Sequence, residues 1–336
     1  MRASVHVGGG RLELRDWPAP PVAAGEILVR LRGCGLCGSD IVKLAPDAAG
    51  PPAVLGHEVV GEVVEAGAGV TTVAPGDRVV VAHHVPCFAC HYCRRGSPSM
   101  CRGFKRINLD PGGFAELVRV PAPNVAHATF RLPAAVPDET ASFTEPLACC
   151  LRAVKRVAAA PGDTALVIGL GSIGCLLAQG LRLAGARVFG TDLLPARRRL
   201  AATFGVETFD DEAALEAALR DATDGRGADI VVLTAGGAAA LASAAPRVRD
   251  GGQLHCFAGG AGCTLPLALD ALYHRELTLS ATYSSSPAEL REAFAHLAAG
   301  RVTVDGLITH RLPLARLEEG VALMRRQEAV KVYVTP

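Results

Sequence analysis

Thr164-Ala165-Leu166-Val167-Ile168-Gly169-Leu170-Gly171-Ser172-Ile173-Gly174 joins a short apolar run to a three-glycine turn, and an apolar stretch of helical period, Ile173–Leu183, follows at once. A run of this kind closed by glycine predicts a strand buried on both faces. The first glycine permits the tight turn and the second lets backbone amides approach a pyrophosphate. The third lets helix pack on strand, and the helix N-terminus faces the phosphates. In a chain with 37 glycines the pattern alone is weak, so its placement between strand and helix carries the reading. Eighteen residues after Gly174, beyond the next apolar run Arg187–Gly190, stands Asp192. A carboxylate there accepts ribose hydroxyls and repels a 2′-phosphate. Gly169, Gly171, Ser172, Ile173, Gly174 and Asp192 therefore predict a NAD site, with Arg197 beside it. An arginine at that place also suits the 2′-phosphate of NADP, but Arg197, Arg198 and Arg199 read chiefly as a solvated helix face.

Working outward, the apolar runs Thr164–Ile168, Arg187–Gly190, Asp229–Leu233 and Gly252–Phe257 alternate with helical stretches such as Glu212–Arg220. Strands alternating with helices predict a doubly wound parallel sheet over residues 139–282. Residues 1–138 read differently: short runs (Glu26–Arg32, Glu58–Glu65, Arg78–Ala82, Phe114–Val120) are separated by Gly/Pro turns, the pattern of an irregular, mostly β domain. Residues 283–336 hold a helix-like Pro287–Ala299, a β-like Leu307–Leu312, a helix-like Leu314–Arg326 and a closing Lys331–Val334. Those strands have no place in the parallel sheet, so the tail is expected to return to the first domain and leave a cleft between the two. The fold class is α/β.

Composition sets the rest. A chain of 336 residues fits two cores. Lys+Arg and Asp+Glu stand at 34 and 33, so no net field favours nucleic acid or an anionic membrane. No apolar run approaches the ~20 residues of a membrane helix, and the N-terminus reads as a first strand rather than a signal peptide. The expected setting is cytoplasmic and the expected partner a small molecule.

Eleven cysteines in such a chain favour metal ligation over disulfides. Cys87, Cys90, Cys93 and Cys101, spaced Cys-x2-Cys-x2-Cys-x7-Cys, suit a closed tetrahedral zinc site that staples the lobe 84–103. An iron–sulfur cluster is the rival, but its fourth cysteine comes after three residues and precedes proline, whereas Cys101 precedes Arg102. His83, His84 and His91 read as surface residues or neighbours of the shell. Cys34, Cys149, Cys150, Cys175, Cys256 and Cys263 read as small buried hydrophobes.

Cys37 and His57, each beside an acid, Asp40 or Glu58, suggest a second and more open site. Together with Gly35-Leu36-Cys37-Gly38-Ser39-Asp40, Gly56-His57-Glu58, the four-cysteine lobe, Glu145-Pro146-Leu147-Ala148 and the glycine turn, the chain resembles the zinc-dependent medium-chain dehydrogenases, most of all the sorbitol/threonine dehydrogenase branch. The resemblance spans nearly the whole chain and implies a GroES-like catalytic domain that includes the C-terminal tail, plus a Rossmann domain. It implies Cys37 and His57 as zinc ligands, with Glu145 as the third protein ligand and Glu58 ligating or exchanging with water. It also implies Ser39 as acceptor of the alcohol proton. The histidine that relays this proton in many relatives is replaced here by Val42, followed by Lys43, which puts the usual relay in doubt. Relatives are commonly dimers or tetramers, so a homodimer or homotetramer is expected.

Zinc lowers the pKa of a bound water from about 15.7 to about 7, and a comparable effect makes an alcohol a hydride donor near neutral pH. The expected function is thus transfer of a hydride between NAD and a secondary alcohol, polyol or hydroxy-amino acid. The alternatives are a zinc-free quinone or enone reductase on the same scaffold and a non-catalytic nucleotide-binding protein.

Overall fold

Strand Thr164–Ile168 lies inside a six-stranded parallel sheet, flanked by Arg187–Thr191 and Ala228–Leu233. The full order is Glu207–Thr208, Arg187–Thr191, Thr164–Ile168, Ala228–Leu233, Val248–Cys256, Thr278–Ala281. This is the 3-2-1-4-5-6 order of a dinucleotide-binding sheet, in which the strand order reverses beside the first strand. Leu166, Phe189, Val231 and Leu254 form its core. In the computed structural model, residues 1–45, 53–234, 237–258, 264 and 268–336 are described; Cys263 lies outside them.

The chain folds as two units, Met1–Ala148 with Ser285–Pro336, and Cys149–Ser284. The division falls inside helix Thr144–Arg156 rather than at 138/139. Apolar runs alone do not reveal it, because one continuous helix contributes Leu147 and Ala148 to one unit and Cys150 and Leu151 to the other.

In the first unit, the long strand Ile27–Leu36 pairs antiparallel with Glu58–Ala66, Leu117–Val120 and Val332–Thr335. Val29, Leu31, Val59, Val79, Val118 and Val332, all buried, pack its core. The last strand lies against the C-terminal half of the long strand, in the register Val332↔Leu36, Tyr333↔Gly35, which ends one residue before Cys37. The other tail elements are strand His310–Pro313, parallel to Val332–Thr335, and helices Pro287–Ala298 and Leu317–Arg325. The β-like run read at Leu307–Leu312 starts late because Val304 to Leu307 is taken up by a turn.

Candidate metal centres and nucleotide site

Cys37 caps helix Gly38–Lys43. Its Sγ accepts from the Ser39 amide at 3.5 Å, and its own amide donates to Asp40 Oδ2 at 3.1 Å. The other oxygen of the same carboxylate, Oδ1, lies 3.4 Å from His57 Nδ1. One fully buried acid thus lies against both residues, hydrogen-bonded to the Cys37 amide and at ion-pair range of the imidazole, as carboxylates do behind metal-bound histidines. Burial pushes the Asp40 carboxyl up, but the imidazole of His57 outweighs it and the pKa ends below its ordinary value. Burial likewise lowers His57, and Asp40 reverses the sign, so His57 ends well above its ordinary value. Asp40 was visible in the sequence only as a neighbouring acid. Asp40→Asn keeps the cap acceptor and removes the charge; metal affinity is expected to fall about 10–100-fold in chelator competition. Unchanged affinity would reduce Asp40 to a helix cap.

Cys37, His57 and Glu58 offer donor atoms all within 4.8 Å of one another. A soft thiolate, an imidazole and a carboxylate converging where two of the three are buried fit zinc. Glu145, buried in the first turn of helix Thr144–Arg156, stands outside this group of three. Ser39 is exposed, and the contact the structure gives it is its backbone amide on Cys37. Val42 is 70% exposed.

Three partners of this centre were not legible. His83 is buried with its ring centre 4.5 Å from that of His57, His84 lies 3.6 Å further on, and Phe104 follows at 4.8 Å. His83 therefore packs on a ligand rather than facing solvent, and of the three histidines only His91 is exposed. Burial, with the charge of His57, pushes the His83 pKa well down and that of His84 to about 3, so both rings are neutral near pH 7. Third, Lys331 of the tail places Nζ 2.7 Å from Glu58 Oε1 and 2.5 Å from Oε2.

Cys87, Cys90, Cys93 and Cys101 also gather their Sγ atoms within 4.8 Å of one another, around the short turn His91–Arg94. The Cys101 thiol is raised by burial but lowered more by the amides of Cys87 and Gly103, to about 6, while burial and neighbouring thiols push Cys93 up to about 12. Four sulfurs gathered at this range form a donor set for a tetrahedral metal ion. No disulfide joins the described cysteines, and those given no role are buried or half-buried.

In the second unit Gly169 has φ +95°, open to glycine at little cost. A Cβ on Gly174 would stand 2.0 Å from the Gly169 carbonyl oxygen. Gly171 caps helix Ser172–Leu183. Asp192 Oδ2 accepts from the Leu170 amide at 2.7 Å and Oδ1 from the Leu194 amide at 2.9 Å. Arg197 lies 3.7 Å from the same carboxylate and Arg198 donates to the Asp192 carbonyl. Both are half-buried around Asp192, so only Arg199 forms the expected solvated face. Thr234 Oγ1 donates to the Gly169 carbonyl at 2.7 Å, a tie from a neighbouring strand that no local pattern signals.

A family model described as the alcohol dehydrogenase GroES-like domain matches residues 23–131, and one described as zinc-binding dehydrogenase matches residues 172–299. A sorbitol dehydrogenase of Halalkalibacterium halodurans is 31% identical over 98% of this chain and 97% of its own length. The chain belongs to the zinc-dependent alcohol dehydrogenase family. An L-threonine 3-dehydrogenase of Bacillus velezensis is 32% identical over 96% of this chain and 95% of its own. The solved alcohol dehydrogenase of Thermus sp. ATN1 superposes with a TM-score of 0.86 at 30% identity, over 100% of this chain and 99% of that one. This family member is an oxidoreductase of the alcohol dehydrogenase class, with zinc and a nicotinamide dinucleotide as cofactors. No helix among the described residues is long and apolar enough to cross a membrane.

Proposed function

We propose that the protein oxidises a secondary alcohol, polyol or hydroxy-amino acid to the ketone with NAD as hydride acceptor. Zinc would be held by Cys37 and His57 with a carboxylate from Glu58 or Glu145. The observation that supports this most is the convergence of thiol, imidazole and carboxylate within 4.8 Å, since a quinone reductase working without metal has no need of that set. Zinc there would supply the Lewis acidity that loosens a hydroxyl proton. The chain does the rest. Asp40 holds Cys37 and His57 in register, and the Ser39 amide donates to the Cys37 sulfur. The Ser39 hydroxyl is the proposed acceptor of the alcohol proton, and with Val42 and Lys43 following, no imidazole on that helix passes it outward.

Ser39→Ala separates these roles because it deletes the hydroxyl and keeps the amide. Turnover is expected to fall about 10²–10⁴-fold, the usual worth of a positioned proton acceptor, with zinc content unchanged. Full turnover would remove Ser39 from the mechanism.

Asp192 supports NAD over NADP, since a 2′-phosphate would meet a carboxylate already committed to two amides, and Arg197 is engaged with that carboxylate. Assembly as a homodimer or homotetramer belongs to the same reading, because Thr278–Ala281 is an edge strand carrying Leu279 at 40% exposure. Clustered thiols without disulfides among the described residues fit a reducing, cytoplasmic setting.

The deciding test is reduction of NAD and of NADP with polyols, amino-alcohols and simple secondary alcohols, with metal analysis on the same preparation. Alcohol-dependent NAD reduction that disappears when zinc is removed is expected. Turnover that survives zinc removal would favour the quinone reductase, and bound zinc without hydride transfer across the panel would favour a nucleotide-binding scaffold.

A further inference from the structure

We propose that Lys331 is a positioning residue that holds Glu58 in reserve beside the catalytic metal, and so sets whether that metal keeps a position open for substrate. This rests on the zinc reading above. Three features carry it. First, the Lys331 ammonium lies 2.7 Å and 2.5 Å from the two carboxylate oxygens of Glu58, with both side chains almost wholly buried (5% and 1% exposed). Second, the donor atom of Glu58 is within 4.8 Å of those of Cys37 and His57, so the same carboxylate is within reach of a metal bound by them. Third, the backbone makes room for the pair: a Cβ on Gly35 would stand 1.8 Å from Glu58 Oε2 and 2.9 Å from Lys331 Cε. The lysine immediately precedes the last strand, whose first residue Val332 pairs with Leu36, and its ammonium also lies 5.7 Å from the ring centre of Phe143, just before the helix that carries Glu145.

A buried carboxylate shared between two cations cannot give its full charge to either. A zinc ion that acts on substrate needs one coordination position free of protein. Lys331 donates to Glu58 Oε1 and lies against Oε2, which is buried and accepts no hydrogen bond among the described residues, so the carboxylate would be kept off the metal while Oε2 stays within its reach. Without the lysine, the metal is the remaining partner for a buried charge, and Glu58 settles on it.

The test uses the full-length enzyme loaded with cobalt(II), in wild type, Lys331→Met, Lys331→Arg, Glu58→Gln and the double variant Lys331→Met/Glu58→Gln. In Lys331→Met the visible cobalt spectrum without substrate is expected to change, and release of the catalytic metal to a chelator to slow by about tenfold or more, the scale on which a metal's neighbours act. Turnover should drop while metal content stays full. Lys331→Arg keeps the charge and should release metal no more slowly than wild type. Adding Lys331→Met to Glu58→Gln should change neither spectrum nor release, because the carboxylate through which the lysine acts is gone. The double variant buries no unpaired charge, so it keeps the comparison usable if Lys331→Met alone folds poorly. An unchanged spectrum and release rate in Lys331→Met, or an equal effect in the Glu58→Gln background, would overturn the proposal. Failure of the zinc reading looks different: wild type would then take up cobalt at the four-cysteine lobe alone.

Discussion

Gly174→Val is expected to abolish nucleotide binding and to destabilise the Cys149–Ser284 unit by at least about 3 kcal/mol, the upper range for overpacking. The added Cβ would stand 2.0 Å from the Gly169 carbonyl oxygen and 2.9 Å from its carbon. Both are backbone atoms of the turn itself, which Thr234 ties down from the neighbouring strand, so no side chain can swing aside to relieve the clash. A melting temperature lower by about 10 °C and a loss of NAD-dependent fluorescence change are the readouts. Gly171→Ala is the control. Its nearest neighbour, Arg197 Nη1, is 3.9 Å from the new Cβ and its φ is −69°, so the fold tolerates a methyl there. The cost should fall on the approach of the pyrophosphate to the backbone, giving weak NAD binding at normal stability. Equal melting temperatures for Gly174→Val and wild type would show that the third glycine does not set the helix–strand distance.

The contrast between these two glycines indicates what a sequence discloses. Strand, turn and helix around Thr164–Gly174 are local, so their residues and their order were legible, and so were the four cysteines at short spacing. Cys37 and His57 were legible too, though their meeting depends on strand Ile27–Leu36 pairing with Glu58–Ala66, in which Gly35 faces Glu58. Lys331 was not legible. It is 273 positions from Glu58 and reaches it only because the tail adds a strand to the first unit, and a lysine just before a short apolar run carries no local mark of burial. Asp40 was seen as an acid beside Cys37, but its second contact, to His57, needs the tertiary fold. His83 lay too close in sequence to the cysteine lobe to be assigned to the other metal centre, on which its ring packs.

Cys37→Ser is expected to remove the catalytic metal and lower kcat/KM by about 10³-fold or more while leaving the fold intact. Zinc acting as a Lewis acid contributes several kcal/mol to a charged transition state, and each ~1.4 kcal/mol is tenfold in rate. Serine cannot replace the sulfur as a ligand, because its hydroxyl holds its proton far more tightly than a thiol does. As a helix cap, however, serine is among the best residues. It can accept from the Ser39 amide as Cys37 does, and its backbone amide still donates to Asp40. Local structure and chemistry are thereby separated in one substitution. Metal analysis should show loss of one zinc per chain with the four-cysteine site still loaded. Cys101→Ser should behave in the opposite sense, because Cys101 is buried at 4% exposure and accepts from the Cys87 amide inside the lobe. Losing that zinc removes the staple of a turn-rich segment with little core of its own, so protease sensitivity around residues 84–103 should rise. If Cys37→Ser instead unfolds the chain or retains both metals at full activity, the assignment of the thiol at position 37 to the catalytic zinc fails.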